Sequence, residues 1–281
     1  MTDETPRLSY SIAKVLLSCP AKAYLEHRKL GNQRKEPTPA MDRGTVIERM
    51  ITGAEDGVAV IHANNFQPKA AQEARDAAKS DGRIPMLARE YEDLLVAAEK
   101  LTPQVFGALG GFAGWQFQQR HEWESSGCAC SGSIDAVRVD ADSYAIADFK
   151  SAADASPDAC QRAKEKYGYD IQHAAYIDAI ETAHPQLAGR GSFLFIFFEL
   201  SPPYCVTPVQ LDGLSSDLGR RKWARAKQVW TECLSRDEWP GYLPPGEVFT
   251  ATAKPWELEK FTNEPPRDEE GNLTHEDITF C

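Results

Sequence analysis

The chain lacks most of the features that would place it in a membrane, secreted or metal-cluster class. Among its 281 residues the longest uninterrupted apolar run is Phe193 to Phe198, far short of the ~20 residues a membrane-spanning helix needs. The opening residues, MTDETPRLSY, do not follow the charged-then-apolar order of a secretory leader. Seven cysteines, an odd number, include no CxxC pair, and no His/Cys clustering suits zinc or an iron–sulfur cluster. A reduced set of core cysteines in a cytoplasmic protein is therefore expected. Cys128 and Cys130, one residue apart on a strand, are expected to point to opposite faces. Positive charge is also in short supply, with 31 Lys+Arg against 42 Asp+Glu and a net charge of −11. That excludes a protein that coats nucleic acid by charge alone, but not a nucleic-acid enzyme. No internal repeat is visible.

What is present is ordinary for a globular chain: 42% hydrophobic and 26% charged residues. At this size about three quarters of the unfolded surface can be buried without disulfides. The pattern of elements predicts one domain over residues 1–243, with a helical part over about 1–110 and a catalytic core over about 111–243. An acidic, irregular tail, 244–281, follows.

Ser9 or Ser11 can cap a first helix, and Pro20 opens a second. Asp42 is a candidate cap for a helix carrying Val46, Ile47, Met50 and Ile51, ended by Gly53. A short strand is expected at 57–62, and helices at 69–79 and 86–101. The character then changes to period-two alternation over 115–123, 133–139 and 144–149, with turn residues between, as in an antiparallel meander. Helices are expected at 157–166 and 169–183. Gly191 to Leu200 reads as a strand buried on both faces, 205–210 as its hairpin partner, and 212–234 as a long helix. The expected fold class is α/β, a mixed central sheet flanked by helices.

The chemistry concentrates in GSIDAVRVDADSYAIADFK, residues 132–150. Asp148 and Lys150, two apart on a strand, share a face, and a hairpin of this length can bring Asp135 alongside them. Two carboxylates and an ammonium would then meet at one end of a sheet. Burying them is costly unless something pairs them. A Mg²⁺ ion does so with carboxylate oxygens, a backbone carbonyl, waters and a phosphate, lowering the pKa of a bound water and stabilising charge on the phosphate. Lys150 is placed to orient or deprotonate that water, or to neutralise the transition state.

GSID followed by ADFK resembles the signature of the PD-(D/E)xK nuclease superfamily, in its RecB and RecE-like branch. RGTVIER (43–49) resembles a helix of that family and puts Glu48 where the family has a metal-binding or metal-adjacent residue, often His. YGYDIQHAAYIDAI (167–180) resembles its Gln-x-x-x-Tyr helix, with Gln172 and Tyr176 one turn apart. LSYSIAKVLLSCPAKAY resembles the opening helix pair, and FIFFELSPPYCVTPVQL and WTECLSRDEWPGY the later strands and closing helix of RecE-type phage exonucleases. The resemblance spans residues 8–243 and implies a restriction-endonuclease-like core. It implies Glu48, Asp135, Asp148 and the Phe149 carbonyl as metal ligands, Lys150 serving the attacking water, and Gln172 fixing the site with support from Tyr176. Glu122 either reaches the metal region or stands solvated. Some relatives hold an iron–sulfur cluster, but Cys205, Cys233 and Cys281 are too dispersed to join Cys19 in one, so none is expected.

The activity implied is a Mg²⁺-dependent exonuclease, with Mn²⁺ as a substitute, that resects linear double-stranded DNA from 5′ to 3′. A ring-shaped homo-oligomer and a single-strand annealing partner in phage-type recombination are implied with it, in the cytoplasm of a bacterium or phage-infected cell. An endonuclease of the same superfamily, or a non-catalytic DNA-binding protein retaining the fold, remains the alternative. Charge can also be placed along the chain: residues 1–36 carry +3, residues 214–236 carry +4 and residues 252–281 carry −5. In the second segment Arg220, Arg221, Lys222, Arg225 and Lys227 are candidates for phosphate contact, or else form a solvated helix face.

Overall fold

The Ser9 hydroxyl accepts a hydrogen bond from the Ile12 amide and starts α1 (Tyr10–Ser18), and Pro20 starts α2 (Pro20–Glu26). These elements belong to a computed structural model that describes residues 5–33, 36–54 and 57–262. Helix α3 (Pro39–Thr52) begins earlier than Asp42 suggests, because Thr38 caps it and Pro39 suits the first helical position. Gly53, in the left-handed region, ends it as expected. Strand β1 (Val58–Ile61), helix α4 (Lys69–Ser80) and strand β2 (Ile84–Leu87) form a small parallel unit. Met86 therefore lies in a strand rather than opening a helix. Helix α5 (Ala88–Leu109) starts after it and runs past Pro103, because Val105 and Leu109 continue its buried face.

The meander folds as β3 (Gln116–Ser125), β4 (Cys128–Val139) and β5 (Tyr144–Ala152). Helices α6 (Pro157–Tyr167) and α7 (Tyr169–Ala183) then carry the chain over the sheet to β6 (Gly191–Glu199), which pairs with β5 in parallel. Strand β7 (Val206–Val209) returns antiparallel to β6, and α8 (Gly213–Arg236), capped by Asp212, closes the unit. The sheet order β3-β4-β5-β6-β7 with one parallel pair is the expected mixed sheet. The run Phe193–Phe198 is buried on both faces, as its continuous apolarity implies.

The sheet separates two cores. One gathers Leu16, Ile134, Ile146, Tyr176, Phe193, Phe195 and Trp230 beneath α1, α7 and α8; the other gathers Ile47, Leu101, Ala136, Ala147, Phe149 and Ile196 beneath α3 and α5. Cys128 and Cys130 both face the first core. They do not diverge, because residues i and i+2 of a strand share a face. The six described cysteines are all free thiols. Among the described residues no helix is long and apolar enough to cross a membrane.

Residues 242–281 form a second unit, in which α9 (Pro255–Thr262) is the helix described within a segment expected to be irregular. The rest of that expected tail, 263–281, lies outside the described residues.

Candidate active site where the sheet opens

The site forms where β4 leaves β5. Their pairing runs from Val139↔Tyr144 to Ala136↔Ala147 and stops there. At the next position Asp135 and Asp148 would face each other as two carboxylates. Instead, the Asp135 Oδ2 accepts the Phe149 backbone N–H at 2.9 Å, taking the place of a ladder bond. In a strand the N–H and C=O of one residue point to the same edge. The Phe149 carbonyl is therefore turned toward the same opening.

The alternation along β4 shifts at this point. Cys130 and Ile134 line the first core, but Ala136 lines the second and Val137 the first again. The partner strand shifts opposite, with Trp123 in the first core and Phe117 against the second. Gln118, between Phe117 and Gln119, has φ +52, a conformation costly for a side chain with a Cβ and found at sites the surroundings over-determine. Its side-chain amide donates to Glu48 Oε1.

Two helices reach the opening from opposite faces. Gly44 lets α3 press against β5: a Cβ there would lie 2.7 Å from the Ser151 Oγ. One turn later the same helix face delivers Glu48, whose carboxyl is a hydrogen-bond neighbour of Asp135. From the other side α7 delivers Gln172, which donates to Asp148 Oδ1 at 2.5 Å. A turn further, the Tyr176 hydroxyl donates to the Ser133 carbonyl at 2.5 Å, and its ring fills the space a Cβ at residue 132 would need. The glycine of GSID is thus required by the tyrosine of the Gln-x-x-x-Tyr helix. Lys150 forms an ion pair with Asp148 Oδ2 and lies 4.9 Å from the centre of the Tyr169 ring. Tyr10 stands edge-on to Tyr176 at 5.7 Å.

Electrostatics here are those of acids held together. Asp148 is fully buried. Burial first, then the charges of Asp148 and Glu48, push the Asp135 carboxyl well above the usual range. Burial and then Asp148 push Glu48 up to about 7. Burial is the largest single influence on Lys150 and favours its neutral form, but the charge of Asp148, together with Tyr10, Asp135 and Tyr169, outweighs it and holds the ammonium well above its ordinary value. Ionised together, three acids facing one ammonium would leave an excess of negative charge in a poorly solvated opening, and a divalent cation of the Mg²⁺ type is the partner that would offset it. Among the described residues no three acidic, His or Cys side chains already close around one point. Gln118, the Phe149 amide and Lys150 each hold one of the three carboxylates instead.

The remaining candidates lie elsewhere. Glu122 pairs with Arg7 at 3.2 Å and Arg120 at 2.8 Å. It sits opposite Ser131, four residues along β4 from Asp135, about 13 Å at the rise of a strand. On α8, Arg220, Arg221 and Arg225 are exposed, whereas Lys222 bonds Asp170 at 2.6 Å. Lys227 is buried inside the fold on Asp178, at 3.1 Å, and Ser125, at 2.7 Å. The local sequence carries no sign of Gln118, because period two hides a break in the period. Tyr169, three residues before Gln172, could have been placed on the same helix face.

A family model of the PD-(D/E)XK nuclease superfamily matches residues 7–243. The chain belongs to that superfamily. The five-stranded mixed sheet and its flanking helices are consistent with the superfamily core. Comparison with curated proteins gives no match. Among solved structures, a candidate exonuclease from Eubacterium rectale is similar with a TM-score of 0.59 and 12% identity, over 92% of this chain and 94% of that one. A phage-related exonuclease from Haemophilus somnus 129PT matches with a TM-score of 0.34 and 15% identity, over 83% of this chain and 96% of that one. The first likeness extends the shared fold over nearly the whole nuclease-superfamily chain.

Proposed function

We propose that this nuclease is a Mg²⁺-dependent exonuclease, with Mn²⁺ as a substitute, that digests one strand of linear double-stranded DNA from 5′ to 3′. The observation that carries the reading is the meeting of Glu48, Asp135, Asp148, Lys150 and Gln172 at one opening of the sheet, with the Phe149 carbonyl turned into it. Glu48, Asp135, Asp148 and that carbonyl would hold the metal, which supplies charge stabilisation and an acidified water when bound. Gln172 keeps Asp148 oriented, and Tyr176 anchors α7 to β4 beside it. Lys150 orients the attacking water and offsets the charge that develops as the phosphorus–oxygen bond breaks. The RecE-type resemblance supports the polarity, a ring-shaped homo-oligomer around DNA, and a single-strand annealing protein as partner in phage-type recombination. The bacterial or phage-infected cytoplasm is the matching setting.

End-labelled linear duplex with Mg²⁺ tests this directly. Label should be released from the 5′ end, covalently closed circles should survive, and EDTA should stop digestion. Cutting of closed circles would make the enzyme an endonuclease instead. No digestion and no binding of divalent metal by calorimetry would leave a DNA-binding protein that keeps the fold.

A further inference from the structure

From Lys150 a line of tyrosines leads outward. Its ammonium lies 4.9 Å from the Tyr169 ring centre, and Tyr169 stacks on Phe195 within the core at 5.3 Å. Toward the surface its ring neighbour is Tyr167, 5.7 Å away with ring planes 31° apart. Tyr167 ends α6 and Tyr169 begins α7, and the left-handed Gly168 between them turns the chain so that the rings come together. Tyr169 is half-buried, but Tyr167 is 45% exposed. Two ammonium groups attend the exposed ring, Lys14 at 5.5 Å and Lys166 at 5.2 Å. The phosphodiester chemistry proposed above uses none of these three side chains.

An exposed ring attended by two ammonium groups suits single-stranded nucleic acid. A base stacks on the ring whatever its sequence, and the ammonium groups transfer to the phosphates on either side. Lysine–ring contacts at an exposed position are weak enough for a base to displace. The two distances place the Tyr167 ring no more than about 11 Å from the Lys150 ammonium, roughly three base steps at ~3.4 Å each.

We propose that the α6–α7 junction is a subsite for an unpaired nucleotide at a DNA end. Its base stacks on Tyr167 and its flanking phosphates meet Lys14 and Lys166. The inference rests on the nuclease reading, since it takes Lys150 to mark the reacting phosphate.

The test is binding in EDTA, by fluorescence anisotropy, of a blunt duplex and of one with a short single-stranded extension carrying 2-aminopurine. The wild type should prefer the extended duplex and quench the 2-aminopurine. Tyr167→Ala should lose about tenfold in affinity for the extended duplex only, and Tyr167→Phe, which keeps a stacking face, should not. Removing both lysines should flatten the salt slope on the extended duplex by about 1.4. Undiminished quenching by Tyr167→Ala, or equal losses on both duplexes, would overturn the subsite. If the wild type meanwhile digests linear DNA with Mg²⁺, the nuclease reading stands without it. A wild type that neither binds nor digests DNA overturns both.

Discussion

At the residue scale the site is a problem of charge. Asp148 is fully buried and its carboxylate is contacted by Gln172 and Lys150, so removing either partner exposes a fixed charge to a poor solvent. Lys150→Ala and Asp148→Ala are expected to lower the turnover of linear duplex at least 10²–10³-fold, the scale for loss of one preorganised electrostatic group. DNA binding measured in EDTA should survive in both variants. Undiminished digestion by both would remove the proposed chemistry.

The raised Glu48 carboxyl gives a second residue-scale expectation. Its pKa in the folded chain is about 7 against an ordinary 4.5, so the folded state binds more protons in that window. Stability of the metal-free protein should therefore fall as pH rises from about 4.5 to 7. His173 acts in the opposite sense. Burial lowers it to about 4, so it contributes stability above its ordinary value that is lost as pH falls toward 4. The difference in Tm between wild type and Glu48→Gln isolates the first effect: the wild type should lose ground to the variant as pH rises. Mn²⁺ or Mg²⁺ should raise the wild-type Tm more at pH 8 than at pH 5.5, and an equal rise at both would contradict Glu48 as a ligand.

At the element scale, α7 must be held firmly if Gln172 is to meet Asp148. The far side of that helix supplies the hold. Asp178 accepts hydrogen bonds from Trp123 Nε1 at 3.1 Å, Ser125 Oγ at 2.8 Å, Trp223 Nε1 at 2.8 Å and Lys227 Nζ at 3.1 Å. Helix α7 is thereby tied to β3 and to α8 at once. Burial opposes ionisation of Asp178, but these donors together hold its carboxyl below the usual range. Asp178→Ala would leave the Lys227 ammonium and two indole N–H groups without their acceptor. It is expected to cost about 3–5 kcal/mol, the scale for breaking a buried pair from one side. Urea unfolding measures this, and a loss below about 1 kcal/mol would show that the cluster is not a tie between the three elements.

At the scale of the whole molecule the question is how a chain of net charge −11 holds DNA. Much of the excess acid falls, in the sequence, after the residues matched to the nuclease family: residues 252–281 carry −5, while 1–36 and 214–236 carry +3 and +4. Contact is therefore expected to be confined to a few basic strips, with the remaining surface repelling the polyanion. On α8, Arg221 and Arg225 are exposed, but Lys227 is committed to Asp178. Neutralising the two arginines together should flatten the slope of log K against log salt by about 1.8. Lys227→Met should leave that slope unchanged and lower stability instead. A slope that responds to Lys227 and not to the arginines would reverse this assignment.

Much of this was legible before any coordinates. The hairpin of β4 and β5, the shared face of Asp148 and Lys150, and the buried strand β6 follow from period two, turn residues and continuous apolarity, all of them local properties of a chain. The starts of α1 and α2, at Ser9 and Pro20, were equally local. Glu48 and Gln172 were legible only through resemblance, since nothing near residue 48 or 172 signals the carboxylate it meets on a different element, Asp135 for Glu48 and Asp148 for Gln172. Tertiary structure alone decided that β4 parts from β5 at Asp135, that Gln118 takes a left-handed turn to meet Glu48, and that Lys227 points inward. Each depends on which surfaces meet. A break in pairing arises when helices on both faces press side chains into one gap, and a lysine turns inward when a distant aspartate and serine offer it a better shell than water.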